Sequence, residues 1–184
     1  QNFEKYLEII GKHVKDIGTI VEEFVQFARM PAPEFAHNNL VQIVRESIFS
    51  RKCLDKDINY ITEFQVDTAI INCDPRQISQ VLLNLLKNAE EAIEHCHNIN
   101  RGEIKVLLLV QDEMVELEVM DNGGGFSSEL FDHLTEPYVT NKSTGTGLGL
   151  AIVKKVLDDH KTAISFTNNN TPGATIKLTF NLVK

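Results

Sequence analysis

Two asparagines one helical turn apart, Asn84 and Asn88, stand in the run Asn84-Leu85-Leu86-Lys87-Asn88-Ala89. In a helix both carboxamides lie on one face, because positions four apart stack along the axis. A carboxamide oxygen is a hard donor suited to Mg2+, which takes oxygen ligands and keeps several waters. The same pair could instead bond nearby backbone, as asparagine commonly does. Further on, Asp121-Asn122-Gly123-Gly124-Gly125 offers a carboxylate followed by glycines whose bare backbone lets a planar ligand approach. That carboxylate could accept from an exocyclic amine such as adenine presents, or the segment could be a plain turn. Last, Gly145-Thr146-Gly147-Leu148-Gly149-Leu150 opens a helix, where backbone N–H groups and the helix N-terminus suit phosphate oxygens. It has neither the Gly-Lys-Ser/Thr ending of a P-loop nor the setting of a dinucleotide fingerprint.

These three segments need elements to hold them. Asp74-Pro75 starts a helix, with the carboxylate as N-cap and proline at the first helical position. Apolar residues at Ile78, Val81, Leu82, Leu85 and Ala89 carry that helix to about Glu94. The spacing predicts strands over 59–66, 103–110 and 115–120, the last two a hairpin that leads into the Asp121 turn. A helix over about 148–159 follows the third glycine segment, and a closing hairpin spans 163–168 and 175–182. Asn39 caps a further helix whose apolar face is Leu40, Ile43, Val44 and Ile48. Elements in this order indicate an α+β fold, a two-layer α/β sandwich with helices on one face of a mixed sheet.

Ahead of it, Phe3, Leu7, Ile10, Val14, Ile17, Val21, Phe24 and Ala28 recur at steps of four and three. This is the seam of a long bundle or coiled-coil helix of roughly 40 Å, which one helix cannot bury alone. Ile9, Ile20, Val25 and Phe27 widen the stripe toward a four-helix arrangement. Pro31 and Pro33 end it. The expected organisation is residues 1–31 as the bundle helix, 32–39 as a linker and 40–184 as the sandwich domain.

The net charge of −8 over 184 residues argues against nucleic acid, and with no long basic run the chain has no evident attraction to an anionic membrane surface. No stretch reaches the roughly 18 apolar residues of a membrane span. Cys53, Cys73 and Cys96 lack metal-type spacing and read as buried free thiols of a reducing, cytoplasmic setting. The chain opens on Gln1, so a piece of a longer protein is expected, one whose other parts could be anchored in an inner membrane.

Taken together and in this order, the three segments resemble the asparagine box and the first and second glycine boxes of the Bergerat nucleotide-binding fold. That fold is shared by gyrase, a class of heat-shock chaperones, histidine kinases and MutL. The resemblance covers about residues 40–184. It implies ATP with its adenine amine at Asp121, Mg2+ held through Asn88, and Asn84 beside the phosphates as the catalytic position. Gly123 and Gly125 would line the base, and Gly145, Thr146, Gly147, Leu148 and Gly149 would enclose the phosphates, with Lys142 as a further phosphate contact. ATP-hydrolysing branches place a glutamate where this chain has Asn84, so efficient hydrolysis is not expected.

Asparagine there is similar to the sensor histidine kinases. Phe131 and Glu136-Pro137-Tyr138-Val139-Thr140-Asn141-Lys142 resemble their phenylalanine box within a short lid. Phe27-Ala28-Arg29-Met30-Pro31 resembles the end of the second dimerisation helix in kinases of the NtrY type. The resemblance implies phosphoryl transfer to a histidine on a helix absent from this chain, then to an aspartate of a response regulator receiver domain. It also implies homodimerisation of the parent through the N-terminal helix. No phosphoacceptor setting is present, and His13 reads as a solvated helix residue. The alternatives are an ATP-driven conformational machine of the same superfamily, or an inactive nucleotide-sensing dimerisation module.

Overall fold

The computed structural model describes residues 2–53, 57–96, 101–140 and 145–183, with only the backbone described at several positions of the first helix. That helix, α1, spans Asn2–Ala28. Its seam is open to solvent: Leu7, Ile10, Val14, Ile17, Val21 and Phe24 are all exposed. The Phe3 side chain lies outside the described residues.

After Pro31 and Pro33 the chain does not run on as a plain linker. Residues Ala36–Asn39 form strand β1, which pairs antiparallel with β3 (Ile70–Cys73) in the register Ala36↔Cys73 to Asn39↔Ile70. Both strands have four residues, too few for an alternating pattern to be legible. Asn39 then caps α2 (Leu40–Lys52), its Oδ1 accepting from Val41 N–H at 3.1 Å and from Ala69 N–H at 3.0 Å.

Among the described residues the main sheet has five strands: β2 (Ile58–Phe64), β4 (Gly102–Gln111), β5 (Met114–Asp121), β6 (Ala163–Asn168) and β7 (Ala174–Asn181). Their order is β2-β4-β5-β7-β6, with β2 and β4 parallel and every other pair antiparallel. Register puts the apolar side chains in cross-strand rows. Val106, Val119, Ile176 and Phe166 form one row, and Leu108, Leu117, Leu178 and Ile164 the next. These rows pack under α3 (Pro75–Glu94) and α4 (Gly149–Asp159), which lie against each other. The other face carries charge, with Lys105 paired to Glu63 at 2.8 Å and Lys177 to Glu116 and Glu118 at 3.0 Å each. Alternation with period two thus supplies one dry face and one wet face, and the helices cover the dry one.

A buried polar cluster ties α2, β2 and α3 together. Glu90 is fully buried; it accepts from Arg51 Nε at 2.8 Å and Tyr60 Oη at 2.5 Å, and Arg51 Nη2 reaches its other oxygen. Burial drives the Tyr60 phenol well above its ordinary range, and the adjacent Glu90 carboxylate adds to the shift.

Candidate functional site

α3 carries the first motif. Its N-cap is Asp74, whose carboxylate accepts from the N–H groups of Arg76 and Gln77, with Pro75 in the first turn. Ile78, Val81, Leu82, Leu85, Leu86, Ala89 and Ile93 are buried. Asn84, Lys87, Asn88 and Glu91 form a polar stripe along the same helix, continued by its C-cap His95, facing a cleft of about 350 Å³. This volume is in the usual range for a small-molecule site. Opposite stand Gly125, Phe126 and Ser127 after β5, and Gly145, Thr146, Gly147 and Gly149 before and at the start of α4.

The asparagines meet the last glycine segment directly. Asn84 Nδ2 donates to the carbonyl of Gly149 at 3.3 Å, and a β-carbon on Gly149 would lie 3.9 Å from Asn88 Oδ1. The Asn88 carboxamide therefore lies beside the start of α4, its oxygen and nitrogen nearly equidistant from Gly149. Among the described residues no group of three or more His, Cys, Asp or Glu is placed to hold a metal ion by itself. The donor set fits an oxygen-seeking ion that arrives with its own ligands and waters, as Mg2+ does with phosphates.

Two glycines are required by the geometry. A β-carbon on Gly123 would sit 2.6 Å from the carbonyl carbon of Ala92, so only glycine lets the turn after β5 lie flat on α3. Gly147 has φ +70°, and its β-carbon would meet the Tyr138 backbone at 2.6 Å. The Tyr138 N–H donates to Gly147 O at 3.1 Å, which fastens the segment after Phe131 to the phosphate-side turn.

Seven of the residues expected at the site line the cleft: Asn84, Asn88, Gly125, Gly145, Thr146, Gly147 and Gly149. Three expected residues are not on its wall. Asp121 ends β5 in register with Ile104, and its Oδ1 accepts from Gly123 N–H at 2.8 Å. Gly123 packs beneath Ala92, and Leu148 is buried in the core at the start of α4. Gly123 and Leu148 thus shape the site by packing. Lys142 lies outside the described residues.

Four contributors are not evident from the motifs. Asn168, at the end of β6, clasps the loop: its Oδ1 accepts from Phe126 N–H at 2.7 Å and its Nδ2 donates to Phe126 O at 2.9 Å. Phe126 is also held edge-on by Phe166 and Phe131. Asn169 Nδ2 donates to Asp121 O at 3.3 Å, and its Oδ1 accepts from Thr175 at 2.7 Å. Lys87 sits inside the asparagine motif, where its position on the polar stripe could have singled it out. Glu23 comes from α1 and lines the same cleft, a placement that no local pattern signals.

Residues 73–184 match the family model described as histidine kinase-, DNA gyrase B-, and HSP90-like ATPase (HATPase_c). The chain belongs to that family. Within this ATPase family it is similar to sensor histidine kinases. It is 43% identical over 180 residues to an NtrY-like sensor histidine kinase of Rickettsia bellii, covering 98% of this chain and 29% of that protein. The chain therefore spans about three-tenths of the length of the curated relatives it matches. Its fold superposes on the nucleotide-free catalytic domain of histidine kinase ThkA with a TM-score of 0.69 at 30% identity, covering 80% of this chain and 95% of that one. The complex of ThkA with the response regulator TrrA matches over all of this chain and 52% of the other, with a TM-score of 0.77 at 24% identity.

Proposed function

We propose that this chain is the ATP-binding catalytic part of a sensor histidine kinase. It transfers the γ-phosphate of ATP to a histidine on a helix outside this chain, from which the phosphate passes to an aspartate of a response regulator receiver domain. One observation carries the reading: Asn84 and Asn88 on α3 face the Gly145–Gly149 turn across a single cleft, with Asn84 bonded to Gly149. ATP lies with its phosphates between the asparagines and that turn, and its adenine extends past the cleft wall toward the end of β5, where Asp121 accepts from the amine. Asn88 holds a Mg2+ that comes with the nucleotide and neutralises phosphate charge. Phosphoryl transfer depends mainly on such positioning, so the protein contributes little covalent chemistry. Asn84, a carboxamide, cannot act as a base on water, which favours transfer over hydrolysis.

The solvent-exposed seam of α1 supports homodimerisation of the parent through this helix. Among the described residues no helix is long and apolar enough to cross a membrane. The proposed setting is the cytoplasmic side, with any inner-membrane anchor in parts of the parent beyond this chain.

Calorimetric titration of ADP and a non-hydrolysable ATP analogue tests the site in wild type, Asp121→Asn and Asn88→Ala, with and without Mg2+. Binding is expected to fall about tenfold or more in Asp121→Asn, and Asn88→Ala should lose the Mg2+-dependent part. Absence of nucleotide binding both by the folded wild type and by a folded variant without the Glu23 carboxylate would refute the reading. The kinase role is tested by mixing the chain with a protein that carries the phosphoacceptor helix, where acid-labile phosphohistidine is expected.

A further inference from the structure

The Glu23 side chain, on α1, reaches into the cleft and is four-fifths shielded from solvent. One carboxylate oxygen lies 3.1 Å from Lys87 Nζ, and the other accepts from the Thr146 hydroxyl in the glycine-rich turn. Lys87 is the only lysine or arginine among the described residues lining the cleft, whose other titratable groups are Glu91, Glu94 and His95. Lys87 shares the polar stripe of α3 with Asn84 and Asn88 and also lies 4.0 Å from Glu91.

Resting on the ATP reading of this cleft, we propose that Lys87 is a phosphate-binding residue and that Glu23 occupies its phosphate subsite while α1 is docked. A carboxylate and a phosphoryl group are both oxyanions and draw on the same donors, here an ammonium and a hydroxyl. A nucleotide brings several negative charges into a cleft that already holds three carboxylates. Lys87 is the described cation able to offset them, and it can serve Glu23 or a phosphate oxygen. Two anions cannot share the subsite without strong repulsion at this separation. Phosphate entry therefore displaces Glu23, and α1 docking through Glu23 opposes nucleotide binding. One turn further on, α1 stays attached by other contacts: Lys155 Nζ donates to Phe27 O at 3.3 Å and lies 5.5 Å from the Phe27 ring. Glu23 can thus leave the subsite without release of the whole helix.

An ion pair that only braced α1 against α3 would respond alike to loss of either partner. Displacement predicts opposite signs. ADP, a non-hydrolysable ATP analogue and adenosine are titrated with Mg2+ into wild type, Glu23→Gln and Lys87→Met, with thermal melts to confirm folding. Glu23→Gln is expected to tighten both nucleotides about tenfold and Lys87→Met to weaken them tenfold or more, with adenosine unmoved in either. Nucleotide affinities that move in the same direction in the two variants, or in neither, would overturn the proposal, as would an equal shift for adenosine. Nucleotide binding to wild type with unchanged variants removes this inference alone. Binding to neither wild type nor Glu23→Gln removes the ATP reading with it. Binding that appears only in Glu23→Gln supports both.

Discussion

The backbone N–H of Asp74 donates to Nε2 of His160 across 3.0 Å, joining the start of α3 to the end of α4. The other ring nitrogen of His160, Nδ1, lies 2.8 Å from Val156 O, a geometry that suits the tautomer with its proton on Nδ1. The Asp74 carboxylate works in the other direction. It caps α3 and accepts from Glu34 N–H at 3.0 Å and from the Arg76 guanidinium at 3.1 Å. One residue therefore joins β3, both cleft helices and the segment entering from α1.

This joint predicts an acid-sensitive contribution to stability. Burial alone would raise the Asp74 carboxyl, but the Arg76 side chain and the N–H groups of Glu34, Arg76 and Gln77 outweigh it and bring it down to about 2. An unfolded aspartate titrates near 4, so the stabilisation is fully present above about pH 4. It is lost as pH falls through about 2. Thermal melts should show Asp74→Asn less stable than wild type at pH 7, with the gap closing between about pH 4 and pH 2. A gap of the same size at both ends would count against this account. Asp74→Ala, which also removes the cap, should cost about 1–2 kcal/mol at neutral pH.

The Arg51–Glu90–Tyr60 cluster predicts a large effect from a single truncation. Glu90→Ala leaves a partly buried guanidinium and a buried phenol without their acceptor, and about 3–5 kcal/mol should be lost in chemical denaturation. Tyr60→Phe removes only one donor and should cost about 1–2 kcal/mol. A Glu90→Ala protein as stable as wild type would show that the cluster relaxes onto water.

Close packing of Gly123 on Ala92 predicts that Gly123→Ala disturbs the turn after β5. The added methyl has to displace helix backbone, an overpacking penalty of about 1–3 kcal/mol. Because the next residues are clasped by Asn168, the displacement should reach the cleft wall at Gly125 and Phe126. Nucleotide affinity and melting temperature should fall together. Retention of both would mean the helix yields at little cost.

The three cysteines are all free, yet their surroundings differ. Cys53 is exposed and Cys73 is buried. Burial pushes the Cys73 thiol up to about 11 despite a hydrogen bond from Asn38. Alkylation of the folded protein near pH 8 should label Cys53 first and leave Cys73 unmodified until denaturant is added, because the thiolate is the reacting form. Mass spectrometry of the labelled peptides reads this directly. Equal labelling of both in the folded state would contradict the burial of β3.

Much of the fold was legible because the relevant forces act locally. The caps at Asn39 and Asp74 act within three residues, and the apolar spacing of α3 and α4 repeats each turn. The hairpin β4–β5 alternates over long enough runs to declare its faces. β1 and β3 were not legible, since four residues each show no period and pair only because α2 and β2 intervene with the right geometry. The expectation of three buried thiols held for Cys73 alone, because exposure depends on what packs over a residue.

The sequence by itself determined the chemistry at hand: two carboxamides on one helix stripe and a glycine-rich turn at a helix start, all within the stretch that matches the family model. Residue types and short spacings encode such features directly. Only the tertiary structure decided which of those residues meet. It placed Gly123 and Leu148 in packing, clasped Phe126 with Asn168, and brought Glu23 to Thr146 from 123 positions away. Contacts at that separation come from the joint packing of helices and sheet, and no local periodicity along the chain records them.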